Sequence, residues 1–280
     1  MAGSLMPPAA TSYQAWANRV RAHGEAPVRA GLERNRKETW ASAVDAFTAD
    51  PRRDDEPALD ALLRLVQPGE TWLDIGAGAG RYALPLALAG ASVVAIEPST
   101  AMAGALRAGA AKHGVEGLRV IEREWPMAGP PAAGVALIAH VGYGTESIGP
   151  FLDAMEAAAR RLCVALMLAR APSSAADAYW LPVHGVERPS LPALPEFLRV
   201  LLARGKLFDL RLLPRFEQAR RDPAADLRFL RRHLRVEAGT PADERLQREY
   251  ETRVARGESL HPSDVPLGIV TWEPGQASES

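Results

Sequence analysis

Between Thr71 and Arg170 the chain alternates short apolar runs with stretches of helical period, and that alternation leaves few folds open. Thr71–Ile75, Ser92–Ile96, Leu118–Ile121, Gly134–His140 and Leu162–Leu168 read as strands. Helices are expected near Gly80–Ala89, from about Thr100 to His113, and from Pro150 to Arg160–Arg161, where positive charge suits a helix C-terminus. Strands interleaved with helices imply a parallel sheet covered on both faces.

The flanks differ. Up to Val66 the apolar spacing is helical, with Trp40, Val44 and Phe47 in one group and Ala58, Leu59, Leu62, Leu63 and Val66 in another. The turn signal Gln67–Pro68–Gly69 ends that region. After the fifth strand, Tyr179 to Arg188 reads as a connection, whose two aromatics either shape a pocket or pack on the sheet. Pro195 suits the first turn of a helix that presents Phe197, Leu198, Leu201 and Leu202 on one face. Leu207–Leu213 alternates as a half-wet strand, residues 215–257 read as charged helices, and Leu267–Trp272 as a last strand. The expected organisation is therefore a helical N-terminal cover over 1–66 and one α/β domain over 67–280, with a helical insertion at about 215–257.

Composition narrows the function classes. The 280 residues carry 33 basic and 34 acidic side chains, so a surface built mainly to hold nucleic acid is disfavoured. Residues 199–256 hold 15 basic against 9 acidic side chains, which we read as a solvated helical face rather than an RNA site. One cysteine, Cys163, allows no internal disulfide; within an apolar run it is expected to be an inert core thiol. The six histidines show no ligand spacing, and no metal is expected. No apolar run is long enough to cross a bilayer and no signal peptide is evident, so a cytoplasmic location is expected.

The passage that carries chemistry is Leu73–Asp74–Ile75–Gly76–Ala77–Gly78–Ala79–Gly80–Arg81. It lies where a strand ends and a helix begins, the edge at which open parallel sheets bind ligands. A nicotinamide fingerprint, Gly-x-Gly-x-x-Gly, would place its third glycine at Arg81; here the glycines fall as Gly-x-Gly-x-Gly. Asp74 at the strand end suits a cationic ligand and would repel a pyrophosphate. The next strand ends in Glu97, 21 residues after Gly76, where a carboxylate can accept both hydroxyls of a ribose.

With these motifs, residues 66 to 170 resemble the class I, Rossmann-like S-adenosylmethionine-dependent methyltransferases of the branch with an Asp-Ile-Gly-x-Gly-x-Gly first motif. The resemblance implies a doubly wound seven-stranded sheet, mostly parallel, with an antiparallel last strand. It implies S-adenosyl-L-methionine as cofactor, with Asp74, Gly76, Ala77, Gly78 and Gly80 around the methionine end and Glu97 on the ribose. Pro98 and Met102 fall at positions that pack on adenine, although Met102 also suits the core of its helix. Glu124 is the nearest match to an acid that accepts from the adenine amino group, with surface charge as its other reading, and Trp125 would shield the ring. His140 and Tyr143, after the fourth strand, face the transferred methyl group, as pocket lining or as catalytic groups.

Absences bear on the acceptor. The fourth strand is not followed by an Asn/Asp-Pro-Pro-aromatic motif, which disfavours adenine and amide nitrogens, and no loop cysteine serves pyrimidine C5 chemistry. Aromatic-rich segments (Tyr13–Trp16, Trp40, Tyr179–Trp180) and few fixed charges suit a small, partly apolar acceptor. A hydroxyl acceptor would call on His140 or His184 as base. The competing readings are a nicotinamide-dependent oxidoreductase and a non-catalytic binder of the same cofactor.

Overall fold

The computed structural model describes residues 8–33, 44–214, 222–260 and 265–275. Among the described residues, three helices precede the sheet: α1 (Ala9–Arg29), α2 (Val44–Phe47) and α3 (Pro57–Leu63). The central alternation follows as β1 (Thr71–Ile75), α4 (Ala83–Leu88), β2 (Ser92–Ile96), α5 (Thr100–His113), β3 (Leu118–Ile121), β4 (Ala133–Ala139), α6 (Ile148–Ala158) and β5 (Ala159–Leu168). A 3₁₀ turn at Pro172–Ala176 leads into α7 (Asp177–His184) and α8 (Leu194–Ala203). The chain ends with β6 (Phe208–Leu213), α9 (Pro223–Leu234), α10 (Pro241–Ala255) and β7 (Leu267–Trp272).

The seven strands lie in the order β3-β2-β1-β4-β5-β7-β6. β1 to β5 are parallel, whereas β7 runs antiparallel to both β5 and β6. This is the doubly wound, mostly parallel sheet with an antiparallel last strand that the family resemblance implies. The strand order reverses between β1 and β4, and such a switch point opens a crevice at the carboxyl edge.

Alternation along each strand builds two cores. Leu73, Ile75, Ile96, Ile138 and Met167 face α6, α8 and Trp16 of α1. Trp72, Val93, Leu137 and Leu166 face Leu59 and Leu62 of α3, Leu84 and Leu86 of α4, and Leu106 of α5. Cys163 belongs to the first core and is fully buried, with its thiol pushed above its usual range chiefly by that burial. A third core joins α7, α9 and α10 through Tyr179, Trp180, Leu230, Leu234 and Leu246. Arginines of the 199–256 segment have local partners, as in Arg231 to Asp243 at 2.7 Å and Arg253 to Glu249 at 2.7 Å.

Two details depart from the sequence reading. Arg160 and Arg161 do not close α6: that helix stops at Ala158, and both arginines begin β5, where Arg161 clamps Glu70 with two bonds of 2.7 and 2.6 Å. The stretch from Tyr179 is helix α7 rather than a loop on the sheet, because Tyr179 and Trp180 are buried against α9 and α10, and this packing outweighs the helix-breaking tendency of Pro182. Trp40 lies outside the described residues, as does most of the segment that joins β6 to α9. Among the described residues no helix is long and apolar enough to cross a membrane.

Candidate cofactor-binding site

The site is built at the carboxyl edge of β1, β2 and β4. Beyond Ile75 the chain cannot continue as a strand, since Gly76 and Ala77 both donate their N–H groups to the Ile96 carbonyl of β2, at 2.7 and 3.1 Å. This fold-back carries the loop over the end of the neighbouring strand. A side chain at Gly76 would run into Val141, 2.6 Å from where its Cβ would sit, so glycine lets the loop after β4 close down on the loop after β1. At Gly80 a Cβ would collide with Leu106 of α5, which explains how α4 and α5 approach each other. Gly78 differs: its φ of +57° favours glycine, yet no atom lies within 4 Å of a Cβ there. Its free face opens onto the crevice, where a ligand can approach the backbone.

Glu97 directly follows β2 and is buried. One carboxylate oxygen accepts from Gly78 N–H at 2.8 Å and the other from Ser99 N–H at 2.8 Å. The carboxylate therefore shapes the glycine loop as well as facing the crevice. A carboxylate offers about four lone-pair sites, so two remain after these backbone bonds. Ser99 caps α5 by accepting from Met102 N–H at 3.4 Å, and Met102 is buried against Ala79 of the loop. Pro98, between Glu97 and Ser99, is exposed.

Asp74 is almost fully buried, and no described side chain donates to its carboxyl. Burial first, and then the negative charge of Glu97, push its pKa up to about 7. A cation brought to this place would lower it again. A buried carboxyl with a second one beside it is thus tuned for a positively charged ligand group.

At the end of β4, His140 takes a φ of 58°, in the left-handed region that non-glycine residues avoid at a cost of roughly 1–3 kcal/mol. Its N–H still donates to Leu166 O at 2.9 Å, so the backbone turns sharply up from the sheet at this point. The Tyr143 hydroxyl accepts from Leu168 N–H at 2.8 Å, tying the loop after β4 to the end of β5. Trp16 of α1 donates through Nε1 to the Thr145 carbonyl at 2.8 Å, which fixes the same loop from the other side. Trp125 is half-buried, with Nε1 on the Phe151 carbonyl at 3.2 Å, and Glu124 is exposed. His184 lies apart from these groups: it stacks on Trp180 and donates to the Leu234 carbonyl at 2.8 Å within the third core.

A further group went unrecognised in the sequence. Glu56, at the start of α3, is buried and accepts from Tyr82 Oη at 2.6 Å, from Arg81 Nη2 at 2.7 Å and from Arg53 Nε at 2.5 Å. Arg53 also donates to the Arg81 carbonyl at 2.9 Å. Burial alone would raise the Glu56 pKa, but the bond from Tyr82 and the two guanidinium groups outweigh it and hold the carboxyl below its usual value. The network anchors the residues that directly follow the glycine loop. Its only trace in the sequence is an acid at the end of the charge cluster 52–56, which reads as solvated loop.

No sequence-family model matches the chain, and no curated protein matches it. Solved structures do. An S-adenosylmethionine-dependent methyltransferase from Thiobacillus denitrificans, in complex with S-adenosyl-L-homocysteine, superposes with a TM-score of 0.56 at 16% identity, over 86% of this chain and 99% of that one. Magnesium protoporphyrin IX methyltransferase from Synechocystis PCC 6803, with the same ligand bound, gives 0.54 at 13% identity over 85% and 97%. A methyltransferase from Geobacter sulfurreducens in complex with S-adenosyl-L-homocysteine gives 0.53 at 17% identity over 83% and 98%. The chain has the fold of these S-adenosylmethionine-dependent methyltransferases.

Proposed function

We propose that the protein is an S-adenosylmethionine-dependent methyltransferase that acts on a small-molecule acceptor by in-line transfer. The observation that carries this reading is a buried Asp74 to which no described side chain donates, with the charge of Glu97 acting on it and Glu97 in turn holding an open Gly78. Asp74 suits the cationic methionine end of that cofactor, Glu97 has two lone pairs left for a ribose, and Gly78 leaves room for the chain between them. Pro98, exposed directly after Glu97, is the apolar surface offered to adenine, whereas Met102 is buried against Ala79 beneath the loop.

When bound, S-adenosylmethionine supplies a methyl group on a sulfonium, whose leaving group is already activated. The chain's own task is then to hold and align. Such positioning can supply on the order of 7–11 kcal/mol. Glu56, Arg53 and Arg81 hold the glycine loop rigid; Tyr143 and Trp16 do the same for the loop that carries His140. His140 is the candidate base for a hydroxyl acceptor, whereas an amine acceptor needs none.

Two titrations of one sample, with S-adenosylmethionine and with NAD, test the cofactor class. Saturable binding of the first alone is expected; preference for NAD would replace the reading with an oxidoreductase. Tight S-adenosylmethionine binding without transfer to any extract fraction would favour a non-catalytic binder.

A further inference from the structure

A cavity of about 160 Å³ opens at the carboxyl end of β5, outside the cofactor crevice. Its walls come from the end of β5, from the 3₁₀ turn that follows, and from the chain on either side of β7's approach. Leu168, Leu260 and Val265 provide apolar lining; Arg170, Ser174 and Ser259 provide the polar groups. Ala169 N–H donates to Pro266 O at 2.8 Å and so fixes the distance between two of these walls.

Arg170 is the distinctive member. Most arginines near the site have an assigned role: Arg53 and Arg81 bind Glu56, Arg188 binds Asp177, and Arg253 binds Glu249. Arg170 is exposed and has no hydrogen-bond or ion-pair partner among the described residues. Among the described residues no carboxylate lines the cavity with it. An unpaired guanidinium beside two hydroxyls and an apolar wall is suited to a molecule with an anionic end and an apolar body.

The location fits an acceptor. β5 is separated from β1 by β4 alone, so its end lies about 10 Å from the glycine loop by two strand spacings. Both sites open on the same sheet edge, with His140 between them. We infer that this cavity is an acceptor subsite that takes the carboxylate or phosphate end of a small, partly apolar substrate through Arg170. The inference rests on the proposed methyl transfer for its meaning but not for its test.

Benzoate, phenyl phosphate and neutral benzamide are close in body and differ in charge, and each is small enough for such a subsite. Titration of the full chain, followed by the methyl NMR signals of Leu168, Leu260 and Val265, reads the cavity directly. Benzoate or phenyl phosphate should move these signals with at least tenfold tighter binding than benzamide. Whichever anion binds tighter identifies the headgroup. Arg170→Gln should remove the tenfold preference while thermal stability stays unchanged, since Arg170 holds no other group. Equal binding of the three probes, or an unchanged preference in Arg170→Gln, would overturn the inference. A second arm measures label transfer from methyl-labelled S-adenosylmethionine to a metabolite extract: saturating anionic probe should reduce it, and undiminished transfer would show a site unrelated to the acceptor. The titration needs no cofactor, so loss of S-adenosylmethionine binding would sink the methyltransferase reading and leave the subsite result standing.

Discussion

Replacing Glu97 by alanine should damage the protein in two separable ways. The carboxylate holds the N–H groups of Gly78 and Ser99 at 2.8 Å each, and its two remaining lone pairs are assigned to the ribose hydroxyls. A hydrogen bond to a charged group contributes about 1.5–3 kcal/mol, so losing two to the ribose weakens binding by about 3–6 kcal/mol, or roughly 10²- to 10⁴-fold. Loss of the two backbone bonds loosens the loop and would weaken any ligand of that crevice. Calorimetry with S-adenosylhomocysteine and its 2′-deoxy analogue separates the two effects. The wild type should prefer the hydroxylated ligand by roughly tenfold or more, and Glu97→Ala should bind both equally and weakly. If the preference for the 2′-hydroxyl survives in Glu97→Ala, Glu97 is not its acceptor, and the reasoning fails at its first step.

Other outcomes follow from the same geometry. Asp74 has a pKa pushed up to about 7, above its unfolded value, so it holds a proton in the fold that the unfolded chain releases; stability should therefore fall as pH rises from about 4 to about 7 and level off above. Asp74→Asn should flatten that stretch of the curve in chemical denaturation, and an unaltered slope would contradict the assignment. Binding of the cationic cofactor should strengthen over the upper part of the same range in the wild type and not in Asp74→Asn, as calorimetry across pH will show. Glu56→Gln leaves two guanidinium groups without their carboxylate and should cost on the order of 2–3 kcal/mol, below the usual penalty for a broken buried pair because Arg81 is 35% exposed and can rehydrate; a melting temperature lowered by less than about 2 °C would argue against the network. Because the Glu56 pKa is depressed, its contribution should be present above about pH 4.5 and be lost as pH falls through the lowered value. Gly78→Ala meets no neighbour and should cost only about 1 kcal/mol of stability through its positive φ, while a bulkier Gly78→Val should abolish cofactor binding.

Which parts of this could be read in the sequence has a physical explanation. The strands of the sheet's centre are written in local terms: Thr71–Ile75 and Ser92–Ile96 are short apolar runs bounded by turn residues, with the acids that mark the crevice at their ends, Asp74 just before the last residue of the first and Glu97 just after the second. The antiparallel β7 followed from the resemblance and not from any property of Leu267–Trp272 itself. Helix α7 was hidden because Pro182 and the mixed polarity of Tyr179–Arg188 look like a loop; only burial against α9 and α10, distant in sequence, makes it helical. Arg160 and Arg161 misled for the opposite reason, since their local charge fits a helix end while their partner, Glu70, is set by sheet register. The Glu56 network joins residues on either side of β1, and no spacing rule connects an acid in a charged loop with the arginine after a glycine motif. The strained backbone at His140 has no sequence signal at all.

The central claim, that this crevice serves methyl transfer to a small molecule, is tested most directly by following the label itself. The protein is incubated with methyl-labelled S-adenosylmethionine and an extract separated into metabolites, protein and RNA. Label in the metabolite fraction, absent with Glu97→Ala, is the predicted result. Label confined to protein or RNA would contradict the choice of acceptor, and label in no fraction would contradict methyl transfer.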